Sequence, residues 1–146
     1  MTVFRREIPV RFHHCDPAAL VYYPRYFEMV DGTIEDWFTY GLKASISRLL
    51  YERSMVTPTV HFTVDFKKPS VYGDKITFRL HVTRIGRTSC HVYMVASKGR
   101  EIRMTVKQVI VFIHSRKRTP IPIPDDIAKR MRRFLVKSGP ELRATR

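Results

Sequence analysis

From residue 60 to residue 114 the chain alternates apolar and polar positions with a period of two. Val60, Phe62, Val64 and Phe66 alternate with His61, Thr63, Asp65 and Lys67, the pattern of a half-buried strand. Pro69 and Tyr72-Gly73-Asp74 mark a turn. Ile76, Phe78, Leu80 and Val82 form the next apolar face, and Gly86 opens another turn. Cys90, Val92, Met94 and Ala96 make a third run, closed by a hairpin turn at Lys98-Gly99-Arg100. Residues 104–114 are the last strand, and Val109 to Ile113 is apolar at every position, which predicts burial on both faces.

The first sixty residues read differently. In residues 3–13, Ile8, Val10 and Phe12 alternate with Glu7, Arg11 and His13, so a strand is expected. Pro9 lacks a ladder donor and favours a sheet edge or a bulge. The period then changes to that of a helix. Pro24 suits a first helical turn, and Phe27, Val30, Ile34, Trp37 and Phe38 share one face up to about Tyr40, with Gly41 as the stop. Residues 44–53 predict a second, short helix with Ile46, Leu49 and Leu50 on one side. A strand, a long helix and then successive hairpin strands make an α+β chain with an antiparallel sheet whose apolar face the helix covers.

Composition shifts after residue 114. Arg116-Lys117-Arg118 and Pro120, Pro122 and Pro124 form a basic, extended connector. Asp125-Asp126 is read as an N-cap with a first-turn acid. Ile127, Met131, Phe134 and Leu135 stripe a basic amphipathic helix ending before Gly139, followed by a frayed tail. The whole chain is read as a single domain, residues 1–146, with its core in 3–114.

The chain bounds its own chemistry in several ways. Its 146 residues contain no apolar run of membrane-spanning length. MTVFRREIPV has no apolar core or cleavage site of a signal peptide, and Cys15 and Cys90 form no framework, so a cytoplasmic protein is expected. The six histidines lack metal-ligand spacing, so neither metal nor cofactor is expected. The net charge of +14 attracts polyanions: nucleic acid, anionic lipid, an acidic carrier protein or a phosphorylated ligand. The aromatic residues follow core periodicity instead of interleaving with the basic ones, and no nucleic-acid motif is present.

Chemistry concentrates before the long helix, in FHHCDPAALVYYPRYFEMVDGTIEDW. Asp16-Pro17 places a carboxylate a few residues ahead of a helix N-terminus, where unpaired N–H groups face outward. The array Cys15, Asp16, Pro17, Ala18, Val21, Tyr23, Pro24 and Tyr26 resembles the N-terminal signature of the 4-hydroxybenzoyl-CoA thioesterases of the hot-dog fold. Pro69, Tyr72, Gly73 and Asp74 also match a turn of hot-dog proteins. The resemblance implies a sheet wrapped around one helix and hydrolysis of an acyl- or aryl-CoA thioester. It implies Asp16 as nucleophile or general base and the main-chain N–H of Tyr23 as oxyanion donor. It implies a homodimer or homotetramer with coenzyme A held as part of the substrate. Ala19 stands where the family usually carries Gly.

Tyr22, Pro24 and Asp31 are assigned to substrate binding beside the catalytic pair. Arg84, Arg87 and Ser89, around Gly86, resemble the basic turn with which these thioesterases hold coenzyme A phosphates, and an Arg fork suits phosphate oxygens. Cys15 is read as a small filler, since His13 and His14 are its chain neighbours and point elsewhere. Two alternatives stand beside this reading: an acyl-carrier-protein thioesterase, and a non-enzymatic nucleic-acid-binding module.

Overall fold

The computed structural model describes residues 2–136. Strand β1 (Phe4–Pro9) is followed by a single 3-10 turn, Phe12–His14, and helix α1 (Tyr23–Asp36). Helix α2 (Ile46–Arg53) and the two-residue β2 (Met55–Val56) lead into β3 (Thr59–Phe66), β4 (Lys75–Ile85), β5 (Ser89–Lys98) and β6 (Glu101–Val111). The short β7 (Ile113–His114) and helix α3 (Asp125–Arg132) complete the described chain. The main sheet is antiparallel throughout, in the order β1-β4-β5-β6-β3.

One face of this sheet closes over α1. From the strands come Ile76, Phe78, Leu80, Val82, Cys90, Val92, Met94, Met104, Val106 and Ile110, and from the helix Met29, Val30, Ile34, Trp37 and Phe38, all buried. Trp37 stands edge-on to Phe38 and to Phe134, at 5.5 and 5.7 Å between ring centres. The helical run continues past α1 as one wider turn, Trp37–Gly41, in which the Leu42 N–H reaches back to the Trp37 carbonyl. Gly41 is required there: a Cβ would lie 2.7 Å from Trp37 Cδ1.

Several sequence expectations are corrected. The first strand ends at Pro9, not at His13. Beyond it, Val10 exchanges main-chain hydrogen bonds with Gly73 and Asp74, and the Arg11 N–H turns onto His14 Nδ1 at 2.8 Å. Phe12 therefore leaves the core and is 82% exposed. The buried face of α1 is centred on Tyr26, Met29, Val30, Thr33 and Ile34, so Phe27 falls on its border and packs on Phe62 at 5.5 Å. Strand β3, despite its alternation, is exposed almost throughout, because it is an edge strand that α1 covers only in part: Val60 is 61% and Phe66 51% exposed. The final strand breaks at Phe112, and Ile113–His114 leaves the main sheet to pair with Met55–Val56. Val109, Val111 and Ile113 are accordingly half-buried, while Ile110 and Phe112 are buried.

At the C-terminal end Pro124, not an aspartate, caps α3, which stops at Arg132. Asp126 instead takes both Arg53 guanidinium nitrogens at 3.0 Å. Ile127, Ala128, Met131 and Phe134 are buried, while Leu135 is exposed and its main chain bridges alongside Val82. The expected helix end at Gly139 and the tail after it lie outside the described residues.

Phe78→Ala should lower unfolding free energy by about 3–5 kcal/mol, as large core truncations do. Phe12→Ala should cost less than about 1 kcal/mol, as surface changes do. Urea denaturation measures both, and comparable losses would contradict the core drawn here.

Candidate active site

The chain between the 3-10 turn and α1 folds back on itself. The Asp16 N–H bonds to the Leu20 carbonyl at 2.8 Å, Cys15 bridges Val21, and the Tyr22 N–H bonds to the His14 carbonyl at 2.9 Å. Inside this loop Asp16 Oδ1 accepts the N–H groups of Ala18 at 2.9 Å and Leu20 at 3.2 Å. An aspartate that folds onto its own main chain has one fixed orientation. Oδ2 has no partner among the described residues. The reversal needs a left-handed residue at position 19, and Ala19 supplies it at φ 61°. That conformation costs an L-residue about 1–2 kcal/mol, which explains why glycine would suit this position.

Asp16 lines a cavity of about 640 Å³ with Phe12, Cys15, Pro17, Ala19 and Tyr72. The Phe12 and Tyr72 rings meet edge to face at 6.1 Å. In the sequence Phe12 fits a strand face and Tyr72 the turn motif at Pro69 to Asp74, and neither is assigned there to the site. Only the departure of the chain from β1 after Pro9 brings them together. Cys15 donates its S–H to the Arg11 carbonyl at 3.4 Å. The neighbouring His14 is held below its usual pKa by burial and by the positive charge of His13, Arg25 and Arg11, which outweighs Glu28.

Tyr23 is the first residue of α1 and Pro24 the second. An N–H in that first turn has no helical carbonyl within reach, and none of the described hydrogen bonds uses it. Tyr22 and Tyr23 are exposed, with rings 5.5 Å apart, and Tyr23 lies 6.2 Å from Phe27. Asp31 is exposed one turn beyond Phe27, hence on the same helix side, the side that borders β3.

The basic turn lies elsewhere. Arg84 and Arg87 are exposed and line a second cavity, of about 580 Å³, with Pro122, Ile123, Asp125 and Arg132. Ser89 stays beside Gly86, where a Cβ would meet its Oγ at 2.8 Å. The eleven residues of β4 separate this turn from the Asp16 loop, roughly 30 Å at about 3.3 Å per residue. One chain therefore does not bring Arg84 and Arg87 to Asp16.

A buried ion pair lies under the loop. Asp74 and Arg103 meet at 2.8 Å with side chains 6% and 9% exposed. Burial opposes the Asp74 charge, but hydrogen bonds from the Val71 N–H, Lys98 and Arg103 overcome it and hold the carboxyl down to about 2. In the sequence Asp74 fits a turn, and the one signal of Arg103 is a polar side chain at an otherwise buried strand position. Among the described residues there is no cluster of three or more His, Cys, Asp or Glu side chains fit for a metal ion, and no helix long and apolar enough to cross a membrane.

An antiparallel sheet wrapped around one long helix, with a short helix flanking its end, is the hot-dog architecture of thioester-cleaving enzymes. The chain belongs to the thioesterase-like superfamily, whose sequence model matches residues 10–131, and it is a thioesterase. Its relatives include a 1,4-dihydroxy-2-naphthoyl-CoA hydrolase of Synechocystis, 24% identical over 128 residues, covering 85% of this chain and 92% of the relative. The crystal structure of a 1,4-dihydroxy-2-naphthoyl-CoA thioesterase from Synechocystis superposes with a TM-score of 0.81 at 20% identity, over 89% of this chain and 96% of that one. A gentisyl-coenzyme A thioesterase superposes at 0.78 with 21% identity, over 87% and 98%.

The Asp74 carboxyl yields a pH prediction. Because its folded pKa, about 2, lies below the ordinary 3.8, its contribution is complete above pH 4 and disappears as pH falls toward 2. The shift corresponds to a loss on the order of 2 kcal/mol. Denaturation midpoints at pH 6, 3 and 2 should show this component in the wild type and not in Asp74→Asn. Equal acid sensitivity in the two proteins would remove Asp74 from the account.

Proposed function

We propose that the protein hydrolyses an aryl-CoA thioester, of the 4-hydroxybenzoyl or hydroxynaphthoyl kind, to the acid and free coenzyme A. The observation that carries this reading is Asp16: Oδ1 is tied to two main-chain N–H groups and Oδ2 is left for the substrate, inside a cavity edged by aromatic rings. The names of the relatives, all hydrolases of aromatic acyl-CoA compounds, support an aryl group over an aliphatic one.

Two routes use the same oxygen. Oδ2 attacks the thioester carbonyl and gives a mixed anhydride that water cleaves, or it takes a proton from the water that attacks. In both, charge grows on the carbonyl oxygen, and the N–H of Tyr23 together with the positive end of α1 stabilises it. Tyr22 and Pro24 flank the acyl group, and Asp31 accepts a ring hydroxyl. A preorganised donor of this kind is worth on the order of 3 kcal/mol in the transition state. Asp16→Asn should fold normally and release thiol at least 100-fold more slowly from aryl-CoA thioesters in an assay with a thiol reagent. Wild-type turnover by a folded Asp16→Asn protein would overturn the assignment.

Coenzyme A is best held by two chains. β3 presents an unpaired edge with Val60, Phe62 and Phe66 exposed, the kind of edge that pairs with another strand. Its Thr59 end lies near the Arg84–Arg87 turn, since Thr59 pairs with Ile110 and Ile110 with Cys90. Its Phe66 end lies near the Asp16 loop, since Phe66 packs on Tyr26. Antiparallel pairing of β3 with a second copy sets the Arg84, Arg87 and Ser89 turn of one subunit beside Asp16 of the other, in a homodimer or a tetramer of such dimers. The basic turn then binds the nucleotide phosphates, which absorbs part of the positive charge without nucleic acid.

Subunit mixing tests this. Asp16→Asn homodimers are inactive, and Arg84→Ala/Arg87→Ala homodimers have a raised KM with kcat kept, because phosphate contacts are equal in ground and transition states. A hybrid contains one intact site if sites are shared, so mixing should restore activity at wild-type KM. Activity that merely averages the two parents, or a monomer in light scattering, would exclude a shared site. The same acyl groups presented on acyl carrier protein should turn over more slowly than on coenzyme A.

A further inference from the structure

Five hydrogen bonds bracket the two groups assigned to chemistry, and all of them end on residues 70–74. On the Asp16 side, Val10 exchanges bonds with Asp74 and Gly73 at 2.7 and 3.0 Å, and the Ala19 carbonyl accepts the Tyr72 N–H at 3.0 Å. On the Tyr23 side, the Val21 N–H bonds to the Ser70 carbonyl at 2.9 Å, and Tyr26 Oη accepts the Ser70 N–H at 3.2 Å. The loop's internal bonds orient Asp16, and these contacts anchor both of its ends, and with them the start of α1, to this turn.

The turn has little apolar anchoring of its own. Val71 and Tyr72 are exposed, and Gly73 sits at φ 91°. What fixes it is a buried guanidinium from another strand. Arg103 Nη1 lies 3.0 Å from the Pro69 carbonyl, 3.1 Å from Ser70 Oγ and 2.8 Å from Asp74 Oδ2, so its two N–H bonds are shared among three acceptors. Asp74 in turn accepts the Val71 N–H on Oδ2 at 3.0 Å and Lys98 on Oδ1 at 2.9 Å. Lys98 is half exposed and Arg103 is not, so the arginine is the rigid member. On its other side Arg103 Nε lies 2.7 Å from Glu101.

We propose that Arg103, through the turn 70–74, is a positioning residue for thioester hydrolysis that holds Asp16 and the Tyr23 N–H in register. The inference rests on the proposed function in taking those two groups as the catalytic ones. A misplacement of about 1 Å costs on the order of 100-fold in rate, and the turn contacts neither the basic turn nor its phosphates. Loosening it affects the chemical step and leaves nucleotide binding intact.

Arg103→Met and Arg103→Lys provide the test. Lysine keeps a charge opposite Asp74 but, on a shorter stem than Nη1, reaches the Pro69, Ser70 and Asp74 acceptors less well, and it loses the Nε contact to Glu101. With an aryl-CoA substrate, kcat should fall about 10- to 100-fold in Arg103→Met and by less in Arg103→Lys, with KM within about threefold of wild type. Hydrogen exchange gives a readout independent of substrate. In Arg103→Lys the amides of Ala18 and Leu20, which donate to Asp16, should exchange faster while those of Val92 and Met94 keep their protection. If Arg103→Met does not fold, Arg103→Lys decides alone. Unchanged kcat in a folded Arg103→Lys protein overturns the proposal, as does exchange that accelerates equally in β5, which marks a general loss of stability. Full activity of Asp16→Asn would instead defeat the underlying assignment, and the exchange result would still decide whether Arg103 holds the loop.

Discussion

Burying α1 under a single sheet is the constraint on which the rest of the molecule depends. A five-stranded antiparallel sheet has one apolar face, and Met29, Val30, Ile34, Trp37 and Phe38 fill it. The area removed from water by that contact is the main favourable term. It also fixes where the helix starts. With its C-terminal turn locked by Trp37 against Phe134, the N-terminus of α1 emerges beside the start of β4, where the Asp16 loop and residues 70–74 meet. The unpaired N–H groups of that terminus are a by-product of helix geometry, placed by core packing far from them.

The sheet that covers α1 leaves its own edge unfinished. β3 carries apolar side chains at the correct period for a core, yet α1 covers them only in part. Phe27 and Phe62 touch at the border, and the exposed aromatic rings run from there through Tyr23 and Tyr22. The positive charge is divided in kind. Arg103 is consumed internally by Asp74, Arg53 by Asp126, and Arg6 by Asp36 at 2.7 Å. Arg84 and Arg87 have no such partner among the described residues and remain free to meet a phosphate.

The strands from residue 75 to residue 111 and the helix at Tyr23 were legible because their periodicity is set by burial on one face, and burial is what periodicity reports. The places where reading failed share a cause. Phe12 belongs to an alternating run, but β1 ends at Pro9 and the His14 ring captures the Arg11 N–H, a local contact that hydropathy does not encode. Val60, Phe62 and Phe66 alternate faithfully on an edge strand that the described residues cover only in part, through Phe27 and Tyr26. Asp16 and Tyr23 are singled out by a spacing matched to a family, whereas the Phe12–Tyr72 edge of the cavity and the Arg103 bridge join residues 60 and 29 or more positions apart, beyond what any local pattern carries. Arg84 and Arg87 resemble a phosphate-holding turn in sequence, but their distance along β4 from Asp16 is visible only in three dimensions.

The central claim is that Asp16 and the Tyr23 N–H act together on a thioester carbonyl whose nucleotide is held by a second subunit. A crystal structure with a non-hydrolysable aryl-CoA thioester analogue tests it most directly. The account predicts the carbonyl oxygen within hydrogen-bond distance of the Tyr23 N–H, at about 2.7–3.1 Å, and the carbonyl carbon facing Asp16 Oδ2. It predicts the 3′-phosphoadenosine portion against Arg84 and Arg87 of the neighbouring subunit. An acyl group bound away from Asp16, or a nucleotide and acyl group held by one chain alone, would contradict it.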